Sequence, residues 1–152
     1  MSILKSNTVM WLDTPENEPF GRLMAFEGCG DKGGCCPMNC THVWNYEQTM
    51  AHLFPQLERT MRKTDFTDNF FQGGAMRFRT QLPIGAPPAF GQWKPEFPAA
   101  DGQFGTIVKL YRDWQLTGDT QMLRDLYPNA KQYLDFAQGG FAKWDADGDG
   151  VL

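Results

Sequence analysis

Three groups of residues have types and spacings that chemistry could use. Glu27 stands between Phe26 and Gly28, at the end of an apolar run. A carboxylate at a strand end can project into a cleft, and a following glycine leaves room for a ligand to approach. The competing reading is a solvated glutamate before a turn, which composition alone favours because Glu is mostly exposed. The second group is Cys29, Cys35, Cys36 and Cys40 with His42 close behind. Zinc wants four such donors around one tetrahedral ion. The steps of six, one and four lack paired Cys-x-x-Cys knuckles, and adjacent Cys35 and Cys36 cannot easily face one ion. The alternatives are packed small hydrophobes or disulfides in an oxidising compartment; with no secretion signal, reduced and packed thiols are the expected state. The third group is Asp145-Ala-Asp147-Gly-Asp149-Gly150-Val151. Oxygen donors at positions one, three and five, a glycine at six and a carbonyl at seven open an EF-hand-type calcium loop. Asp145, Asp147, Asp149 and the Val151 carbonyl are the expected ligands of a structural calcium, against the alternative of an acidic turn between helices. The closing acid at position twelve would fall beyond Leu152. No organic cofactor is expected.

The elements that must position these groups follow from hydrophobic period and turn chemistry. Ser2–Leu12 and Gly21–Phe26 flank a Pro/Asn/Glu-rich turn and predict a β-hairpin over residues 1–26. Residues 27–40 read as a Gly/Cys loop; four glycines, three cysteines and a proline fall within Gly28–Asn39. Val43, Met50, Leu53, Phe54, Leu57 and Met61 recur at helical steps, so 41–63 reads as one helix, capped by Asn39 or Thr41 and kinked at Pro55. Residues 64–100 form a long connection with a short strand at Ala75–Leu82, Arg77 and Arg79 lying on its polar side. Residues 101–138 predict an αα-hairpin. Phe104, Ile107, Val108, Tyr111 and Trp114 form the apolar stripe of its first helix, and Asp101 is its expected cap. Gly118 ends that helix, Asp119 caps a short one over Gln121–Tyr127, and Pro128 opens a further segment to Ala137. Residues 144–152 are the acidic loop, broken off mid-motif. Trp93, in the proline-rich connection, is placed to stack on a sugar ring; Trp114 reads as packing.

Charge and composition exclude some classes. The chain has 152 residues and a net charge of −4, with no Lys/Arg cluster, which argues against nucleic-acid binding. Aromatics at 14% argue against disorder. No stretch approaches the ~20 apolar residues of a membrane span. The first ten residues lack the apolar core of a secretion signal, so a cytoplasmic location is expected, with the true start left open.

Six stretches taken in order resemble one family: Phe26-Glu27-Gly28, Cys35–Tyr46 (CCPMNCTHVWNY), Leu53–Arg59 (LFPQLER), Ala100–Gly105 (ADGQFG), Lys109–Asp119 (KLYRDWQLTGD) and Trp144–Leu152 (WDADGDGVL). Together they look like the catalytic region of glycoside hydrolase family 116, which includes β-glucosidases and non-lysosomal glucosylceramidase. The resemblance implies a mainly α fold, the N-terminal part of an (α/α)6 toroid with a short β-hairpin at its start. It implies a retaining β-glycosidase acting on a carbohydrate or glycolipid, with Glu27 as nucleophile. The family's acid/base aspartate would lie past Leu152, so this piece by itself is expected to be inactive and to need the remainder of its catalytic domain. Asn39–His42 occupies the place of a stretch in which an aspartate helps to bind the sugar. The residue here is His42, given a substrate-binding role with Trp93; a packed, hydrogen-bonded histidine is the alternative. The reading from another class is a small calcium-stabilised helical binding module without catalysis.

Overall fold

The computed structural model describes residues 10–13, 21–25, 39–71, 73–80, 84, 98–138, 144, 147 and 149. Met10–Asp13 (β1) and Arg22–Ala25 (β2) form the expected antiparallel hairpin, with Trp11 opposite Met24 and Asp13 opposite Arg22. Two ties fasten β2 to the helical body. The Leu23 N–H donates to Thr60 Oγ1 at 2.9 Å, and Arg22 pairs with Asp68.

The described residues are otherwise mainly helical: Thr41–Trp44 (α1), Thr49–Leu53 (α2), Pro55–Phe66 (α3), Ala100–Thr117 (α4) and Thr120–Gln138 (α5). The expected single helix over 41–63 is thus three helices. Pro55 does not kink a continuous helix; it takes the first position of α3, where its missing N–H breaks no bond. Cys40, not Asn39 or Thr41, holds the cap position of α1, and no side chain caps it. The Thr41 hydroxyl instead donates to the Phe78 carbonyl at 3.0 Å, and so does the Thr41 N–H.

Among the described residues of the expected strand, Ala75–Met76 (β4) forms a ladder, pairing with Phe70–Phe71 (β3) across a turn at Gly73 and Gly74. Gly74 has φ +88°, and a Cβ there would sit 2.1 Å from the Gln132 carbonyl oxygen, so no other residue fits. Past Met76 the Arg77 N–H still donates to the Asn69 carbonyl at 2.8 Å and the Phe78 carbonyl accepts from Thr41; Gln81 and Leu82 lie outside the described residues. The expected alternation holds only in part, because Phe78 is half-buried like its neighbours Arg77 and Arg79. Met76 and Thr80 are buried, while Arg77 and Arg79 are half-buried.

The helical pair at the C-terminal end departs from expectation in three ways. Gly118 does adopt the left-handed conformation (φ +69°), and Asp119 Oδ1 does accept the Met122 N–H at 2.9 Å. But Pro128 lies inside one continuous α5. Met122, Leu126, Ala130, Tyr133 and Ala137 keep a single buried stripe through it, and that packing outweighs one lost backbone bond. Asp101 is inside α4, with Ala99 at the cap. The apolar stripe assigned to α4 meets the core only in part: Ile107 packs against it, but Val108 and Tyr111 are 65% and 55% exposed. The buried face carries Gly102, Gln103, Thr106, Lys109, Leu110 and Asp113. Its neighbours are backbone edges and charged side chains, which demand polar partners. Gln103 shows the principle. It accepts the Met76 N–H at 2.9 Å and donates to the Gly74 and Tyr133 carbonyls at 3.0 and 2.7 Å.

Two apolar clusters flank α3. One joins Phe66, Met76, Leu110, Met122, Leu126, Ala130 and Tyr133, with the Tyr133 ring 5.2 Å from Phe66 and 5.5 Å from Phe70. The other joins Leu23, Cys40, Trp44, Met50 and Met61. Cys40 is a free, buried thiol packed as a small hydrophobe.

Candidate functional site

α1 and the start of α4 meet closely because α4 presents glycine there. A Cβ on Gly102 would lie 2.8 Å from Thr41 Oγ1, and one on Gly105 would lie 1.6 Å from Asn45 Oδ1. This contact brings together side chains that are 55 and 59 residues apart in sequence. His42 Nδ1 lies 2.5 Å from Asp101 Oδ2, and the Tyr46 hydroxyl donates to the same oxygen at 2.9 Å. The second Asp101 oxygen accepts the Gly102 N–H at 2.8 Å. The imidazole meets the Tyr46 ring edge-on, with centroids 5.9 Å apart, and lies tilted against Phe78. The His42 side chain is half exposed, so this group faces solvent. Asp101 pushes the Tyr46 hydroxyl above its ordinary pKa, chiefly through the hydrogen bond and then through its charge. An imidazole whose Nδ1 is held by a carboxylate keeps one tautomer and offers Nε2 outward, as an acceptor for a hydroxyl or a proton.

Beneath this group lies a buried cluster of charges shared by α3 and α4. Arg62 is 2% exposed. It reaches Asp65 Oδ2 at 2.9 Å, Asp113 Oδ2 at 3.6 Å and Glu58 Oε1 at 3.8 Å. Arg112 Nη2 lies 2.5 Å from Glu58 and 2.6 Å from Asp113. Lys109 Nζ donates to the Trp44 carbonyl at 2.7 Å and lies 3.8 Å from Glu58. Burial raises the Asp65 and Asp113 carboxyls above their ordinary range, only partly opposed by Arg62. Burial, reinforced by Arg62, lowers Lys109 to about 8. A small cavity lined by Asn39, Thr41, Trp44, Asn45, Arg62, Asp65 and Lys109 joins the cluster to α1.

Of the residues singled out from sequence, Glu27, Trp93, Asp145 and Val151 lie outside the described residues. His42 is described and sits in the group above. Asp147 and Asp149 are both exposed, and among the described residues no three His, Cys, Asp or Glu side chains gather to hold a metal. The ends of the segment carrying Glu27 are nonetheless fixed. Met24 and Asn39 are both buried, and Asn39 Nδ2 donates to Met24 Sδ at 3.4 Å. The chain that leaves β2 therefore returns to it beside α1, the helix that carries His42. Asp101 and Tyr46 were missed as partners of His42, because nothing in the spacing joins them. The charge cluster had a signal, the Glu58/Arg62/Asp65 steps of four and three, but such spacing more often marks a solvated helix face.

No protein-family model matches the chain, and no curated protein is detectably similar to it.

Proposed function

We propose that the chain is part of the catalytic region of a retaining β-glycosidase acting on a β-glucoside or a glucosylceramide-type glycolipid. The supporting observation is the His42–Asp101–Tyr46 group. It draws its residues from two of the stretches that carry the resemblance and exposes them on one face. In this reading His42 Nε2 accepts a hydroxyl of the sugar, Asp101 sets the tautomer, and Trp93 stacks on the ring. Glu27 attacks the anomeric carbon and forms a glycosyl-enzyme. An acid/base carboxyl beyond Leu152, about 5–5.5 Å from Glu27, protonates the leaving oxygen and then activates water. General acid/base assistance is worth roughly 10²–10⁴-fold, so these 152 residues by themselves should not turn over an aryl β-glucoside. The (α/α)6 toroid, the structural calcium at Asp145, Asp147, Asp149 and Val151, and a cytoplasmic location belong to the same proposal. No helix among the described residues is long and apolar enough to cross a membrane.

The test is trapping. A catalytic domain that includes the acid/base, incubated with a 2-deoxy-2-fluoro-β-glucoside, should gain one covalent sugar, mapped by mass spectrometry to Glu27. Glu27→Gln should form no adduct and lose turnover. Full turnover in that variant, or an adduct on another residue, would overturn the assignment. Calcium binding with no adduct and no turnover would favour a binding module.

A further inference from the structure

α1 is only four residues long. Too short to be stable alone, it must be held from outside. The Trp44 carbonyl at its last residue accepts the Lys109 ammonium at 2.7 Å, from the buried face of α4. Lys109 is 3% exposed, and the groups facing it are fixed: Glu58, Arg62 and Asp65 from α3, Arg112 from its own helix, and Trp44 from α1. The same α1–α4 contact carries the His42–Asp101 bond. We propose that Lys109 is a positioning residue: through the Trp44 carbonyl it holds α1 on α4 and so keeps His42 in register with Asp101.

A charge-assisted hydrogen bond is about twice as strong as a neutral one. With its proton, Lys109 clamps Trp44 and is attracted to Glu58. Without it, a neutral amine remains and the attraction to Glu58 is gone. Lys109 titrates at about 8, lowered first by burial and then by Arg62, with Glu58 and Asp65 opposing and Arg112 adding to the fall. The seating of His42 should therefore change near pH 8, apart from the ring's own protonation. The functional consequence rests on the sugar-binding reading of His42; the placement of the ring does not.

The experiment is imidazole NMR on this chain from pH 6 to pH 10. His42 and His52 are its two histidines, so His52→Gln assigns the signals. In the wild type the His42 ring resonances should show an extra step near pH 8. Lys109→Arg, charged throughout, should lack that step and match the wild type at pH 7. Lys109→Met should move the His42 signals toward those of Asp101→Ala at every pH. Lys131→Met, which removes the exposed partner of Asp135, should change nothing at His42. Absence of the step in the wild type, its persistence in Lys109→Arg, or unshifted His42 signals in a folded Lys109→Met would each overturn the proposal. If Lys109→Met does not fold, the wild type and Lys109→Arg decide. The glycosidase reading can fail while this result stands, because no measurement here uses turnover.

Discussion

Arg62→Met tests the buried charge cluster most directly. The methionine fills much of the same volume but removes the cation that reaches Asp65, Asp113 and Glu58 at 2.9, 3.6 and 3.8 Å. Glu58 and Asp113 keep Arg112 at 2.5 and 2.6 Å. Among the described residues, Asp65 keeps a weak 3.4 Å bond from Asn69 Nδ2 and the field of Lys109. Leaving a buried charge without its partner costs about 3–5 kcal/mol. Against a typical total stability of about 5–15 kcal/mol, that is a large fraction of what holds the fold at pH 7. The loss has a sign in pH. Burial already places the folded-state pKa of Asp65 and Asp113 above the unfolded value, and Arg62 pulls both down. Removing Arg62 raises them further, so the folded state binds more protons than the unfolded one across a wider window. Stability is then lost as pH rises through that window and regained as pH falls. Urea denaturation at pH 7 and pH 5 should show Arg62→Met recovering part of its deficit at the lower pH. Arg62→Met combined with Asp65→Asn should recover part of it at pH 7. A deficit under about 1 kcal/mol at pH 7, or one that does not shrink on acidification, would refute the reasoning.

Gly105→Ala gains up to about 1 kcal/mol of helix propensity but places a Cβ 1.6 Å from Asn45 Oδ1. Overpacking of that kind costs about 1–3 kcal/mol, so unless the Asn45 side chain turns aside, chemical denaturation should show a net loss of up to about 2 kcal/mol. Asp101→Ala should return the Tyr46 phenol toward its ordinary titration, seen at 295 nm as a difference from Tyr46→Phe; an unmoved phenol would mean that Asp101 does not hold it. Lysine 109 has a second consequence. Its folded pKa of about 8 lies below the unfolded value of 10.5, so its contribution to stability should improve as pH rises from 8 toward 10.5, a trend that Lys109→Met abolishes. Calcium in excess of its affinity should raise the melting temperature, by about 2.7 kcal/mol of stabilisation at one hundred times Kd. Asp147→Ala should remove the effect.

Local rules were enough for the features whose cause is local. The hairpin of Met10–Asp13 and Arg22–Ala25, the left-handed Gly118, the Asp119 cap and the burial of Met76 and Thr80 all follow from residue type and short-range period. The family resemblance, not spacing, singled out His42. What it could not supply was the partner. Asp101 meets His42 only because Gly102 and Gly105 let α1 close on α4, and a glycine in a helical run does not announce what it faces. The same limit misled the reading of α4. Periodicity finds an apolar face but does not say whether that face or its opposite meets the core. Carboxylates from α3 and backbone edges from β4 and α5 drew the polar side of α4 inward, leaving Val108 and Tyr111 in solvent. Pro55 and Pro128 teach one lesson from two directions. The ring removes a donor in either place, but only packing determines whether a helix starts there or runs through. The amino-acid order settles conformations whose energy is contained within a few residues; partnerships between distant groups arise when the helices dock.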